Sequence, residues 1–187
     1  MEVLWVNSAL LAARARGFGA ALRDTIGQLH RTAFWCISIR GSSRGQVSPG
    51  WGWDPSIRFD LEQSDVDLLK EGIDLLAEHF FAAGARIVKP GVGGFDAELA
   101  SADDLPRLKA HRATAAQLVA GGQHVFGTCS MGADPARAVV DSNHAAYGTE
   151  DLYVCDTGVF PSQTAVNPQL TLMAVAGRLA GILNQRY

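Results

Sequence analysis

The chain has 187 residues, which is enough for one compact domain or for a large part of a two-domain protein. Its hydrophobic fraction of 48% is that of an ordinary globular protein, and its formal net charge of -3 comes from acids and bases that alternate along the chain. This balance predicts no phosphate-binding surface, and we therefore expect no nucleic-acid partner.

The cysteines and the amino-terminal residues bear on the cellular setting. Cys36, Cys129 and Cys155 lie far apart, so the sequence predicts neither a disulfide framework nor a zinc site. A reducing, cytoplasmic location is therefore expected. The apolar stretch 6–13 is interrupted by Asn7 and followed by basic residues, which makes it too short to span a bilayer. We expect no membrane partner.

The first third of the chain is predicted to form helix and then strands. Residues 8–30 have an apolar face at helical spacing, broken by glycines within 17–19. Residues 32–40 are rich in β-forming side chains and predict a buried strand. Residues 46–53 indicate a loop or an edge strand, and 57–61 alternate apolar and polar side chains as a half-buried strand does.

The clearest helix is predicted to begin at Ser64, which is a good N-cap residue, and to end at Gly84. Asp65 and Asp67 place negative charge in its first turn, where the helix dipole favours it. Apolar residues recur along it at helical spacing, so one face is expected to pack on a core.

The rest of the chain is predicted to alternate short strands with helices. The predicted strands are 86–88, 139–141 and 152–156, and the predicted helices are 103–112, 114–119 and 168–184. Small residues between Ala174 and Gly181 would let another backbone approach the last helix closely. Together these elements predict a mixed α/β fold.

Two segments near the carboxyl terminus carry an ordered set of motifs. The first runs from His124 through Gly-Thr-Cys-Ser-Met-Gly at 127–132. The second contains Asp-Thr-Gly-Val-Phe-Pro at 156–161 and continues to Asn-Pro-Gln-Leu-Thr at 167–171. In this order and spacing they resemble the C-terminal signature of the glucose–methanol–choline (GMC) oxidoreductases. A weaker resemblance extends upstream to about residue 40.

The resemblance implies an activity and two catalytic residues. In that family an alcohol is oxidised by hydride transfer to FAD. His124 matches the base, or hydrogen-bond acceptor, for the substrate hydroxyl, and imidazole can take up a proton near neutral pH. Asn167 matches a second polar group on the same oxygen, which as an uncharged amide can only orient and polarise it. An alcohol or a sugar is the expected substrate, and the sequence does not identify which.

The resemblance also implies which residues contact FAD. They are Asp156 and Thr157, near the ribityl and diphosphate region, and Pro168, Gln169 and Thr171, near the isoalloxazine ring. From the residues themselves, Asn167 suits the N-cap and Pro168 the first position of the last helix. The positive end of that helix would then favour the negative charge of a reduced flavin. The cap and catalytic roles of Asn167 compete for one side-chain oxygen.

The family's glycine fingerprint for a dinucleotide is not found, since Gly91–Gly94 is not followed by a helix packed on a strand. We therefore expect a partner subunit that binds FAD with that fingerprint, because the chain starts with methionine and has an internally complete pattern. A truncated piece is the alternative. Residues 1–30 are predicted to be a helical segment, 31–120 part of a sheet-and-helix substrate-binding domain, and 121–187 the segment that completes a Rossmann-like FAD-binding domain.

Several features have a plainer interpretation. His124 taken alone suits a structural histidine, and with Cys129 it suggests a thiol nucleophile, although no acid is placed to orient the pair. Four aromatic residues suit either an apolar substrate pocket or a core: Trp35, Trp51, Trp53 and Phe59. A non-catalytic subunit that only stabilises a flavoprotein is the alternative function.

Overall fold

The computed structural model describes residues 1–14, 18–95, 98–122 and 124–187, and within them the protein is mixed α/β with small antiparallel sheets. The α-helices are α1 (Ser8–Arg14), α2 (Ala20–Gly27), α3 (Gln63–Ala82), α4 (Leu105–Ala110) and α5 (Gln169–Arg186). The strands are β1 (Glu2–Leu4), β2 (Phe34–Cys36), β3 (Gly45–Pro49) and β4 (Pro55–Phe59). Contacts divide the chain into a first unit, Met1–Arg44 with Phe59–Ala120, and a second unit, Gly45–Arg58 with Gly121–Tyr187. The functional division at residues 30 and 120 stays a prediction.

The small sheet of the first unit joins β1 to β2 in antiparallel pairing, with Glu2 opposite Cys36 and Leu4 opposite Phe34. The predicted buried strand over 32–40 is wrong in length and in burial, because only three residues pair and Trp35 is exposed. A two-stranded sheet leaves side chains uncovered that a larger sheet would bury. The strand β1 was not predicted, since three residues are too few to show alternation.

The predicted amino-terminal helix is divided into α1, α2 and a 3-10 turn at Leu29–Arg31. Residues 15–17, which include part of the predicted break, lie outside the described residues. Gly19 follows them with a positive φ of 62° and immediately precedes α2. A glycine adopts this left-handed conformation without steric cost, so the part of the break that is described has the expected cause.

Helix α3 is confirmed, but its predicted N-cap is wrong: the helix begins at Gln63, one residue before Ser64. The Glu62 N–H donates to the Ser43 hydroxyl at 2.9 Å, which holds Glu62 in extended backbone and starts the helix directly after it. Gly84 ends the helix as predicted, with a positive φ of 90° and its N–H bonded to the Phe81 carbonyl at 2.9 Å.

Asp65, in the first turn of α3, is 1% exposed and accepts hydrogen bonds from Ser42 and Ser43. Both backbone N–H groups reach it at 2.8–2.9 Å, and the two hydroxyls at 2.5 and 3.2 Å. These donors, the Ser43 hydroxyl first, lower the pKa of Asp65 from its ordinary 3.8 to about 2, against the opposing effect of burial. The carboxylate therefore fixes residues 42–43 against α3.

Helix α3 contributes to two hydrophobic clusters of the first unit. They comprise Ala77, Val88, Leu99 and Leu108 in one, and Val66, Val92 and Ala113 in the other. Lys70 is buried beside them, bonded to Asp74 at 2.7 Å and to the Leu108 carbonyl at 2.8 Å, which ties α3 to α4. Gly72 permits a close approach, because a Cβ there would lie 2.6 Å from the Ile37 side chain.

Other short elements of the first unit differ from the predictions in kind. The predicted strand 86–88 contributes a single bridge between Val88 and Leu99. The helix expected over 103–112 is a 3-10 turn followed by α4, and 114–119 contains only the 3-10 turn Ala115–Gln117. A Ser101 capping box begins the first of these turns. These segments are too short for periodicity to distinguish one type of turn from another.

A hydrophobic cluster of the second unit is built from Val140, Ala146 and Val159. The predicted strands 139–141 and 152–156 are wrong, because these segments form only isolated bridges. Positive φ angles at His144 (69°) and Asp151 (54°) turn the chain before a ladder can extend. Among the described residues, no helix has the length and apolar character needed to cross a bilayer.

Candidate functional site

The two carboxyl-terminal motifs lie side by side in the second unit. The Cys129 N–H donates to the Gly158 carbonyl at 3.1 Å, and the Met131 N–H donates to the Val159 carbonyl at 2.9 Å. A Cβ at Gly158 would lie 2.6 Å from the Thr128 hydroxyl, so the second motif can approach the first this closely only with glycine at this position. The segments that carried the family resemblance are therefore in direct contact.

His124 is exposed, and the chain directly after it is fixed by the second motif. The Thr157 hydroxyl donates to the Val125 carbonyl at 2.6 Å. The Phe126 ring lies against the Phe160 ring, with 6.0 Å between centroids. The backbone that carries the imidazole is thus anchored by two contacts, while the ring itself remains open to a ligand.

Asp156 is exposed and begins a 3-10 turn at Thr157–Val159. One of its carboxylate oxygens accepts the Gly158 N–H at 2.7 Å, and its second oxygen can still accept from a hydroxyl. Thr157 and Asp156 thus both shape the second motif. The family resemblance implied only a contact with FAD for both residues, since a hydrogen bond to a carbonyl 32 residues away leaves no sequence pattern.

The predicted N-cap of the last helix, Asn167, is wrong by one residue. The helix starts at Gln169, Pro168 occupies the N-cap position, and within residues 124–187 no side chain caps that end. The Leu172 N–H makes the first intrahelical bond, to the Pro168 carbonyl at 2.8 Å. Asn167 therefore precedes the cap, and its exposed amide is not used by the helix. The side-chain oxygen of Asn167 therefore does not have to serve both as a helix cap and in catalysis.

His124 and Asn167 belong to segments that meet one cluster. Phe126 contacts Phe160, and both Phe160 and Val175 of α5 pack on the cluster around Val159. Within residues 124–187, which the structure describes in full, the two side chains make no hydrogen bond to each other. Their convergence on one substrate oxygen stays a prediction, as do the roles of Asp156, Thr157, Pro168, Gln169 and Thr171 toward FAD.

The donors at the start of α5 fit the chemistry of a flavin. The first four N–H groups of a helix have no intrahelical partner and carry the positive end of the helix dipole, and three of them remain here because Pro168 has no N–H. Gln169 and Thr171 are exposed beside them, and the amide of Asn167 adds a further donor. The isoalloxazine ring presents carbonyl oxygens and ring nitrogens that accept hydrogen bonds, so this donor set suits it.

Comparison with known proteins gives one consistent family. The model of the C-terminal part of the GMC oxidoreductases matches residues 41–176. An uncharacterized GMC-type oxidoreductase of Sinorhizobium fredii is 34% identical over 147 residues, which cover 76% of this chain and 28% of that protein. An uncharacterized GMC-type oxidoreductase of Mycobacterium tuberculosis is 29% identical over 162 residues, covering 86% of this chain and 25% of that protein.

A long-chain-alcohol oxidase of Arabidopsis thaliana is 25% identical over 169 residues, covering 84% of this chain and 22% of that protein. The chain thus spans about a quarter of the length of these relatives. The matched region contains both motifs, from His124 to the first turns of α5. The resemblance found in the sequence is confirmed, and the chain belongs to the GMC oxidoreductase family as its C-terminal part.

Proposed function

We propose that this chain is the substrate-handling part of an FAD-dependent oxidoreductase that oxidises a CH–OH group. The observation that carries the proposal is the direct contact of the two motifs, which leaves the imidazole of His124 and the amide of Asn167 exposed on segments that share one cluster. Membership of the family supports it, as does the name of the Arabidopsis relative, a long-chain-alcohol oxidase.

His124 acts as the base. Its imidazole accepts the proton of the substrate hydroxyl, and the electron density left on the oxygen favours departure of the hydride from the adjacent carbon, which becomes a carbonyl. FAD, when bound, supplies the acceptor for that hydride and its electron pair. The contacts of Val125 and Phe126 fix the backbone on the carboxyl-terminal side of His124, which limits the positions that the ring can adopt.

Asn167 orients the same substrate oxygen. Its amide N–H donates a hydrogen bond without exchanging a proton, so the negative charge that develops on the oxygen is stabilised while His124 remains the sole proton acceptor. The position one residue before the N-cap leaves this amide outside the helix, and no cap bond competes for it among residues 124–187.

FAD is proposed to lie against the start of α5 and the second motif. The residues assigned to it are Asp156, Thr157, Pro168, Gln169 and Thr171. The free N–H groups of the helix would donate to the flavin ring, and the helix dipole would favour the charge of the reduced ring. The free carboxylate oxygen of Asp156 would accept a ribityl hydroxyl.

The remaining part of the FAD site is proposed to come from polypeptide outside this sequence. The relatives are about four times as long as the matched region, and a glycine fingerprint is not found in this chain. An FAD-binding subunit or a preceding part of the same polypeptide would each supply it. In the first case the enzyme is a hetero-oligomer.

The test is the rate at which an alcohol reduces the flavin, measured without oxygen in the complete flavin-loaded protein. A panel of long-chain alcohols and sugars first identifies a substrate. The variant His124→Ala should slow flavin reduction by about a hundredfold or more, as expected for loss of a general base. The variant His30→Ala, which removes another exposed histidine, should leave the rate unchanged. Equal rates of flavin reduction in His124→Ala and His30→Ala would refute the catalytic role of His124 and would favour the alternative, a subunit that only stabilises the flavoprotein.

A further inference from the structure

His144, in the second unit, is a buried histidine that the proposed mechanism does not use. Its side chain is 1% exposed, whereas His124 is open to solvent. Its φ angle of 69° lies in the left-handed region, which a residue with a Cβ seldom adopts. A buried titratable ring on a strained backbone indicates that the surrounding contacts require this side chain at this place.

The turn 141–145 holds His144 in this left-handed conformation. The Asp141 carboxylate accepts the Asn143 N–H at 2.8 Å and the Ala145 N–H at 3.0 Å. The Asp141 carbonyl accepts the His144 N–H at 3.0 Å. An aspartate that bonds the backbone two residues further on is a common way to close a turn. Because all three bonds go to one residue, the turn fixes the direction in which the His144 ring leaves the backbone.

The ring of His144 is bonded to Val154. Its Nδ1 lies 3.0 Å from the Val154 carbonyl oxygen, and because a carbonyl can only accept, Nδ1 carries a proton and donates it to this bond. The Val154 N–H donates in turn to the His144 carbonyl at 3.1 Å. Both backbone polar groups of Val154 are therefore bonded to one residue, and one of the two bonds depends on the imidazole.

Val154 precedes by two residues Asp156, whose carboxylate is proposed to accept a ribityl hydroxyl of FAD. On the carboxyl-terminal side, Gly158 fixes this segment: its N–H donates to the Asp156 carboxylate at 2.7 Å, and its carbonyl accepts the Cys129 N–H at 3.1 Å. On the amino-terminal side, the bonds between Val154 and His144 are the nearest that the structure describes. Asp156 thus lies between two fixed points, and the imidazole of His144 secures one of them.

We propose that His144 is a positioning residue for FAD, which holds the Asp156 carboxylate in place through Val154 without touching the cofactor itself. The inference rests on the proposed function, which places the ribityl chain of FAD at Asp156. Loss of the ring frees the Val154 carbonyl and lets the carboxylate move, so that part of the free energy of FAD binding is spent on ordering this segment. FAD then binds less tightly, while His124 remains available to the substrate.

The experiment measures the dissociation constant of FAD. The complete flavin-loaded protein is diluted in steps, and the fluorescence of the released FAD gives the Kd. The variant His144→Ala should raise this Kd about tenfold, as expected for one lost hydrogen bond. The matched control His79→Ala removes a ring of the first unit whose Nδ1 also bonds a backbone carbonyl, that of Leu75 at 2.7 Å, and should leave the Kd unchanged. An unchanged Kd in His144→Ala would overturn the proposal.

Two further variants separate the bond of the ring from the conformation of the backbone. The amide nitrogen of asparagine is bonded to Cγ, as Nδ1 is, and asparagine tolerates a positive φ, so His144→Asn should bring the Kd to within about threefold of the parent value. Glycine adopts a positive φ without steric cost but has no donor, so His144→Gly should bind FAD as weakly as His144→Ala. Parent affinity in His144→Gly, or no recovery in His144→Asn, would refute the role of the ring.

A double-mutant cycle tests whether His144 acts through Asp156. In the Asp156→Ala background, His144→Ala should raise the Kd of FAD no further, because the carboxylate that it positions is gone. If His144→Ala does not fold, His144→Gly takes its place in the cycle. Additive effects on the Kd would overturn the proposal, since a general loss of structure acts whether or not the carboxylate is present.

Failure of the proposed function gives different results. Full activity of His124→Ala, together with the expected changes of Kd, would refute the catalytic role and leave the positioning role of His144 intact. A complete parent protein that binds no FAD would refute the proposed function and this inference together. A parent that binds FAD and is reduced by the alcohol, with additive effects in the cycle, would refute the inference alone.

Discussion

The two units of this chain are stabilised in different ways. Among its described residues, the first has a 20-residue helix, two hydrophobic clusters and two buried charged side chains, Asp65 and Lys70, each bonded to two other residues. The described part of the second has one cluster and holds its motif segments by a few backbone bonds between irregular stretches. In the first unit the buried side chains of Asp65 and Lys70 are bonded internally, whereas the second unit leaves His124, Asp156 and Asn167 exposed. We therefore expect the first unit to contribute most of the stability and the second unit to carry the proposed site.

The largest effect on stability is expected from the buried ion pair of the first unit. Replacing Asp74 by Ala would leave the Lys70 ammonium buried with only the Leu108 carbonyl, and the free energy of unfolding should fall by about 3 kcal/mol. Denaturant titration measures it. The control Glu78→Ala removes the exposed partner of Lys109 and should change stability by less than about 1 kcal/mol. Similar losses of unfolding free energy in Asp74→Ala and Glu78→Ala would refute the larger contribution of the buried ion pair.

The second effect concerns Asp65 and pH. Its folded-state pKa of about 2 lies below the ordinary 3.8, so its stabilisation is present above 3.8 and disappears as the pH falls toward 2. The variant Asp65→Asn should lose about 2 kcal/mol at neutral pH and show a weaker decline of stability in that acid range. Asp67→Asn, an exposed carboxylate two residues on, should behave as the parent. An unchanged acid decline in Asp65→Asn would contradict the role of Ser42 and Ser43.

In the second unit, Asn167→Ala should leave stability nearly unchanged and slow flavin reduction. Loss of one hydrogen bond to the substrate oxygen, worth about 1.4 kcal/mol, corresponds to about a tenfold lower rate. Asn167→His, which retains a donor, should recover part of the rate. Asn184→Ala, an exposed asparagine near the end of α5, serves as the control. A large loss of stability in Asn167→Ala would assign this residue to the fold instead.

The smallest effect is expected at Thr157, where two roles can be separated. Thr157→Val removes the bond to the Val125 carbonyl next to His124 and should lower the rate of flavin reduction about fivefold. Thr157→Ser retains the hydroxyl and should retain the rate. FAD content of the purified complete protein is measured in parallel. Retained FAD with a lower rate would indicate that Thr157 positions His124, and lost FAD would support the predicted contact with the cofactor.

The same contrast between units governs what could be predicted from sequence. Helices α3 and α5 were predicted to within about two residues at each end. Apolar residues at helical spacing indicated α3, and Pro168 indicated where α5 begins. The segments around Val140 and Tyr153 were wrongly predicted as strands, since bridges of one residue pair satisfy β-forming side chains without a ladder. The N-cap at Ser64 was wrong because a contact to another segment, Glu62 to Ser43, decides where α3 begins. The N-cap at Asn167 was wrong by one residue, since the Pro168 carbonyl accepts the first bond of α5.

The motifs of the candidate site could be predicted from the sequence, whereas the contacts between them could not. The order of His124, Asp156 and Asn167 in sequence identified the family, which the comparisons confirmed. The contact between Thr157 and Val125 joins residues 32 positions apart and leaves no local pattern. The burial of Asp65 was likewise missed, although the adjacent serines at 42 and 43 were a possible signal, since they supply four donors to one carboxylate.

The shared action of His124 and Asn167 on one substrate oxygen is tested most directly by a double-mutant cycle. Flavin reduction by the alcohol is measured without oxygen for His124→Ala, Asn167→Ala and the double variant of the complete protein. If both side chains serve the same oxygen, the double variant should be about as slow as His124→Ala alone, because residues that act as a unit are not additive. A double variant slowed by the full product of the two single effects would contradict the account.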